Sequence, residues 1–151
     1  MERQRANAAS EAFTVTLRPT GIATTSDELP FSSDRERVEA AVGAFLRDPE
    51  RSEASECGAG RVDTTRYPEG LQLNFKDGAL VGWYYDGTGM AAALPDGLHP
   101  GSDIAELRAR RGFTPIDSTL DGEFALGQSI GGFASETAII AFYAGTNCFA
   151  R

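Results

Sequence analysis

Gly127-Gln128-Ser129-Ile130-Gly131 matches G-x-S-x-G, the pattern by which an α/β-hydrolase lifts its nucleophilic serine onto a sharp strand-to-helix turn. That chemistry needs a helix behind the serine, then an acid and a histidine further along the chain. The stretch after Ser129 holds no histidine and has the pattern of strands. The sole histidine, His99, lies upstream beside Pro100. A serine hydrolase using Ser129 with His99 is therefore the alternative reading, one that only folding back can assemble. More simply, Gly127, Gly131 and Gly132 mark a loop or bulge between two strands.

The acids give no firmer lead. Asp117, Asp121 and Glu123 cluster as the paired carboxylates of a glycosidase would, but their surroundings are those of turn formers and solvated strand residues. Asp86, Asp96 and Asp103 lack the D-x-D-x-D-G loop of a dedicated calcium site. Gly58 to Arg61, "GAGR", lacks the lysine and the downstream helix of a phosphate cradle. With no catalytic set, metal set or cofactor motif, the expectation is a protein that is not an enzyme and carries no cofactor.

The chain of 151 residues has ordinary globular composition, 41% hydrophobic and 24% charged. Asp and Glu outnumber Lys and Arg, 22 to 14, and the net charge of -8 repels phosphate backbones and anionic lipid. Nucleic acid is thereby disfavoured as a partner. No apolar run approaches the roughly 20 residues of a membrane span. The opening "MERQRANAASEAF" is polar and has no signal-peptide core, which leaves either a cytosolic protein or a mature secreted one. Cys57 and Cys148 have neither C-x-x-C spacing nor histidines around them. Two buried thiols and one disulfide both remain open at this point. A bridge would close a loop of roughly ninety residues, for which chain entropy allows about 4 to 5 kcal/mol.

Residues 1–12 read as a disordered tail. Phe13-Thr14-Val15-Thr16-Leu17 then alternates as a strand does, until Arg18-Pro19-Thr20-Gly21 breaks it. Ser33 and Glu36 form a capping box for a helix whose stripe is Val38, Val42, Phe45 and Leu46, ended by Asp48-Pro49. "ERSEASE" reads as a charged connector. Leu71, Leu73 and Phe75 face Val81, Trp83 and Tyr85 across an Asp77-Gly78 turn, which predicts a β-hairpin. The order then repeats: Gly97 to Asp103 leads into a second helix with Ile104 and Leu107 on its stripe and Gly112 as its stop. Strands are expected over 113–118 and 122–126. The run 138–143, apolar at both parities, reads as a central strand. The fold class predicted is α+β: two helix-plus-antiparallel-sheet halves in tandem, about 13–90 and 91–151, packed as a single domain over 13–151.

Trp83, Tyr84 and Tyr85 are consecutive, so on a strand they point to both faces of the sheet. One parity belongs to the core. The other, if uncovered, offers a recognition surface, and these three residues are the candidate binding surface.

The landmarks "ECGAG", "GLQLNFKDGALVGW", "GLHPGSDIAELRARRG", "STLDGEF" and "AGTNCFAR" resemble a group of uncharacterised bacterial secreted and envelope proteins over roughly 20–151. The two helix-then-strands units more loosely resemble the tandem fold of β-lactamase inhibitory proteins and of small outer-membrane assembly lipoproteins. The first resemblance implies that Cys57 pairs with Cys148, and hence a periplasmic or extracellular place. The second implies a role in binding. Together they imply a non-enzymatic secreted or envelope domain that meets a protein partner through a sheet face. The chain departs from the lipoproteins in having no lipidated cysteine near its start.

Overall fold

The computed structural model describes residues 14–55, 57–58 and 60–149; the expected tail, 1–12, lies outside them. The architecture is largely β rather than evenly mixed: twelve strands in two sheets and two short helices among the described residues.

A four-stranded sheet has the order β3-β2-β1-β8, built from β1 (Val15–Arg18), β2 (Gly21–Ala23), β3 (Glu28–Pro30) and β8 (Ala92–Ala93). The larger sheet has eight strands, in two meanders. The front one runs through β4 (Glu50–Ala54), β5 (Val62–Arg66), β6 (Leu71–Lys76) and β7 (Ala79–Tyr85). The back one runs through β9 (Phe113–Pro115), β10 (Glu123–Leu126), β11 (Ile130–Ala134) and β12 (Ile139–Gly145). Helix α1 (Arg35–Gly43) precedes the front meander and α2 (Ile104–Arg108) the back one. The sheet order, β4-β5-β6-β7-β12-β11-β10-β9, reads as the same four-strand unit from either edge. The seam is the antiparallel pair β7·β12, with Tyr84 opposite Tyr143 at its middle.

Backbone bonds repeat across that seam. Asp34 bridges Ala79 as Asp103 bridges Ala138. The Arg35 N–H donates to Gly78 and the Ile104 N–H to Thr137; Ser32 donates to Leu80 and Gly101 to Ile139. Ser32 and Gly101 both take positive φ, 84° and 97°, so the two lead-in loops turn alike. Each meander also carries a register shift at one place, between Asn74 and Phe75 and between Phe133 and Ala134. It leaves Val81 and Ile140 as the extra residues. The hairpin over 71–85 is therefore as expected, but the bulge turns Val81 away and puts Leu80 in the core.

Residues directly opposite in an antiparallel pair share a face. Leu73 and Ala144 flank Trp83, and Leu71 and Phe142 flank Tyr85; all six are buried on the inner face. They pack with Val38 and Val42 of α1, Leu107 of α2 and Val15, Leu17 and Ile22 of the small sheet. The Trp83 indole N–H donates to the Arg18 carbonyl at 2.9 Å and ties the two sheets together.

Local chemistry moves several boundaries. Asp34 and Asp103 are the N-caps, the first of them one residue beyond the serine expected there; Ser33 Oγ instead donates to the Pro30 carbonyl at 2.6 Å. α1 stops at Gly43, well before Pro49, and Phe45 of the expected stripe is exposed. The charged connector is β4, an edge strand whose exposed Glu50, Arg51 and Glu53 suit a sheet margin. Gly131 and Gly132 lie within β11, not in a loop.

Candidate functional site

Ser129 is exposed in the turn that joins β10 to β11. A strand follows it, so the local geometry is strand-turn-strand and lacks the helix N-terminus of a nucleophile elbow. His99, half-buried in the loop before α2, has Nδ1 2.8 Å from the Pro100 carbonyl oxygen. The three acids of the glycosidase pattern part company: Asp117 and Asp121 are exposed, whereas Glu123 is buried and accepts hydrogen bonds of 2.5 Å from both Ser118 and Tyr143. Of the calcium candidates, Asp86 pairs with Arg66, Asp96 pairs with Arg110, and Asp103 caps α2. No cluster of three or more metal-ligating side chains occurs among the described residues.

Trp83 and Tyr85 of the expected recognition trio are fully buried, so Tyr84 alone reaches the outer face of the large sheet. Around it the structure assembles a group that sequence did not reveal. Tyr143 lies opposite Tyr84, and Phe133, Tyr143 and Phe149 meet at ring-centroid distances of 5.0 to 5.6 Å, with Phe149 5.9 Å from Tyr84. All four are half-buried. The Tyr143 ring crosses β11 to reach Glu123, and it crosses directly over Gly131: a Cβ there would stand 2.3 Å from Tyr143 Cζ. On the inner face a Cβ at Gly132 would stand 2.4 Å from Phe124 Cζ. The glycine pair of the "GQSIGG" motif thus makes room for one ring on each face. Burial and the nearby Asp86 carboxylate hold the Tyr84 phenol above its ordinary pKa, against the opposing charge of Arg66, so it stays a hydrogen-bond donor.

Residues 146–149 form a strap along this face. Thr146 N–H donates to Val81, the bulged residue, at 2.8 Å. Asn74 donates to the Thr146 carbonyl and to Asn147 Oδ1, both at 2.9 Å, and accepts from Gln72 and Thr64. Gly82 admits the strap, since a Cβ there would stand 2.1 Å from the Thr146 carbonyl oxygen. Cys148 then joins Cys57, in the loop between β4 and β5, through a disulfide. The covalent link runs from the front edge of the sheet to the chain that leaves its central strand.

The flanks where the helices meet the sheet differ. At α1, Glu39 accepts from Arg35 at 3.0 Å, Thr65 at 2.6 Å and Arg51 at 3.0 Å. Arg35 also lies 3.9 Å from Asp63 and 5.0 Å over the Phe75 ring. Burial alone would raise the Glu39 pKa, but the hydrogen bonds from Arg51, Thr65 and Arg35 outweigh it and hold the carboxyl below its ordinary value. Beside them Tyr67 is buried, its hydroxyl without a hydrogen-bond partner among the described residues, and burial pushes its pKa up to about 12. The corresponding flank at α2 is an open cleft of about 140 Å³, lined by Ile104, Arg108, Phe113, Phe124 and Ala134 among others. A second recess, about 400 Å³, lies at one end of the front meander behind the Arg66–Asp86 ion pair, with Glu69, Gly87 and Met90 in its wall.

No helix among the described residues is long and apolar enough to cross a membrane. No family model matches the chain, and no curated protein matches it. Among solved structures, the chain is similar to the crystal structure of the uncharacterized protein YfeY from Escherichia coli. That similarity has 13% identity and a TM-score of 0.55, and it covers 79% of this chain and 94% of that one. At that identity the likeness is one of fold alone.

Proposed function

We propose that this chain is a non-enzymatic binding domain of an oxidising compartment outside the cytoplasm, and that it meets a protein partner on the outer face of its eight-stranded sheet at Tyr84. The observation that carries this reading is the half-buried aromatic group of Tyr84, Phe133, Tyr143 and Phe149, bordered by the amides of Gln72 and Asn147 and held under a strap anchored by Cys57–Cys148. Aromatic rings with polar tips beside amide groups are the composition of binding hot spots. A disulfide persists where the compartment is oxidising, and this one ties the strap that borders the site.

The test begins with a photo-crosslinking residue at position 72, and one at Gln128 as a control, in cell-envelope preparations. A partner captured from position 72 alone is then purified and titrated against Tyr84→Ala. A hot-spot tyrosine is expected to weaken binding about tenfold or more, on the scale of 1.4 kcal/mol per decade. Equal affinity for Tyr84→Ala, or no capture, overturns the reading. Labelling of Ser129 by a fluorophosphonate would overturn its non-enzymatic part.

A further inference from the structure

The repeated backbone geometry allows the two helix flanks to be compared position by position. Phe75 and Ala134 are each the first residue past the bulge, opposite Leu80 and Ile139. Two residues earlier, Leu73 lies opposite Thr65 and Gly132 opposite Phe124. Across the next strand Thr65 pairs with Arg51 and Phe124 with Pro115. Asp63 faces Phe75 as Gly122 bonds Ala134. On the helices Arg35 corresponds to Ile104, and Glu39, one turn on, to Arg108. The hydrogen-bonded set at α1, namely Arg35, Glu39, Arg51, Asp63 and Thr65 around Phe75, therefore occupies the positions that line the cleft at α2. In the back half these positions hold Ile104, Arg108, Pro115, Gly122, Phe124 and Ala134. A benzyl group is present at the first site and reduced to a methyl at the second.

We propose that the cleft between α2 and strands β9 to β11 binds an aromatic side chain of a partner peptide that bears a carboxylate next to the ring-bearing residue. The volume fits: an apolar cavity of about 150 Å³ accepts a benzene ring, and the cleft has about 140 Å³. Its wall supplies the half-buried Phe113 for ring contact, backed by the buried Phe124 ring with centroids 5.9 Å apart. The front half shows the arrangement completed within the chain, a phenyl ring beneath a guanidinium. In the back half the cation is Arg108, one helical turn further along and exposed at the cleft. The other ionisable side chain of the lining, Glu123, has its carboxylate oxygens bonded to Ser118 and Tyr143. Those bonds lie on the outer face, where Glu123 pairs with Phe133 and Tyr143 with Tyr84, so on the helix side the charge of the lining is that of Arg108, which selects a negative neighbour for the ring. This site lies on the helix side of the sheet, so it stands or falls independently of Tyr84.

The experiment is a titration of the disulfide-intact, 15N-labelled chain with N-acetyl-Phe-Asp amide, N-acetyl-Ala-Asp amide, N-acetyl-Phe-Asn amide and free phenylacetate, followed by amide chemical shifts. The Phe-Asp probe is expected to saturate shifts at Ile104, Phe113, Phe124 and Ala134. Removing the ring should weaken binding roughly tenfold. Removing the charge, in the probe or as Arg108→Gln, should weaken it about fivefold, the size of one exposed ion pair. Ala134→Phe, which restores the missing ring from within, should abolish the shifts; Ala134→Leu serves if that variant does not fold. Shifts elsewhere, equal response to the Ala-Asp probe, response to phenylacetate alone, persistence in the filled variant, or no response at all would each overturn the proposal.

Discussion

Gly131 and Gly132 sit inside a strand, where glycine is ordinarily a cost, because two aromatic rings lie across the backbone there, one on each face. Gly131→Ala must displace the Tyr143 ring and loosen its bond to Glu123. A loss of about 1 to 3 kcal/mol is expected, seen as a lower urea midpoint at unchanged slope. Ser129→Ala, two residues away in an exposed turn, should stay within about 0.5 kcal/mol. G-x-S-x-G describes spacing alone, and Gly131 of this one answers to a tyrosine that no local pattern links to it. The alternation of Trp83, Tyr84 and Tyr85 did announce two faces. Which rings would join Tyr84 on the outer one depended on Phe133 and Phe149, brought near by pairing across the sheet and by the strap.

At the scale of elements, α1 is joined to the sheet by charge as well as by Val38 and Val42. Glu39 is the hub of that join, and its folded pKa lies below the unfolded one. Above the ordinary carboxylate range both states carry the charge, and the full contribution is present. As pH falls through that range the unfolded chain takes up a proton first, and the contribution is lost as pH drops through the lower folded value. Urea titrations from about pH 6 to about pH 3 should show stability falling, and Glu39→Gln should flatten that slope while lowering stability at neutral pH. Long alternating strands were legible in the sequence, and the first helix start to within a residue, because periodicity and capping signals are local. β4 was not, since a charged edge strand has the composition of a loop; nor were β2, β3 and β8, at two or three residues too short to show a period.

For the whole molecule, the bridge between Cys57 and Cys148 joins the loop after β4 to the strap beyond β12, a separation of 91 residues. Reduction, or replacement of both cysteines by serine, should cost up to about 4 to 5 kcal/mol, read as a shift in urea midpoint with and without reductant. Near-ultraviolet circular dichroism should change with it, because Phe149 beside Cys148 closes the aromatic group. The repeated order of helix and strands was visible along the chain. That the two units would share one continuous sheet was not, because the decisive pairing joins strands from opposite halves.

The seam has a consequence for how the chain acquires its shape. During synthesis β4 to β7 can zip together from neighbouring turns, but β7 then shows a bare row of amide and carbonyl groups until β12 leaves the ribosome. For that interval the nascent protein carries an open sheet margin that a sister chain's β12 fits as well as its own. Exchange of back halves between two molecules is thus the misassembly this topology invites.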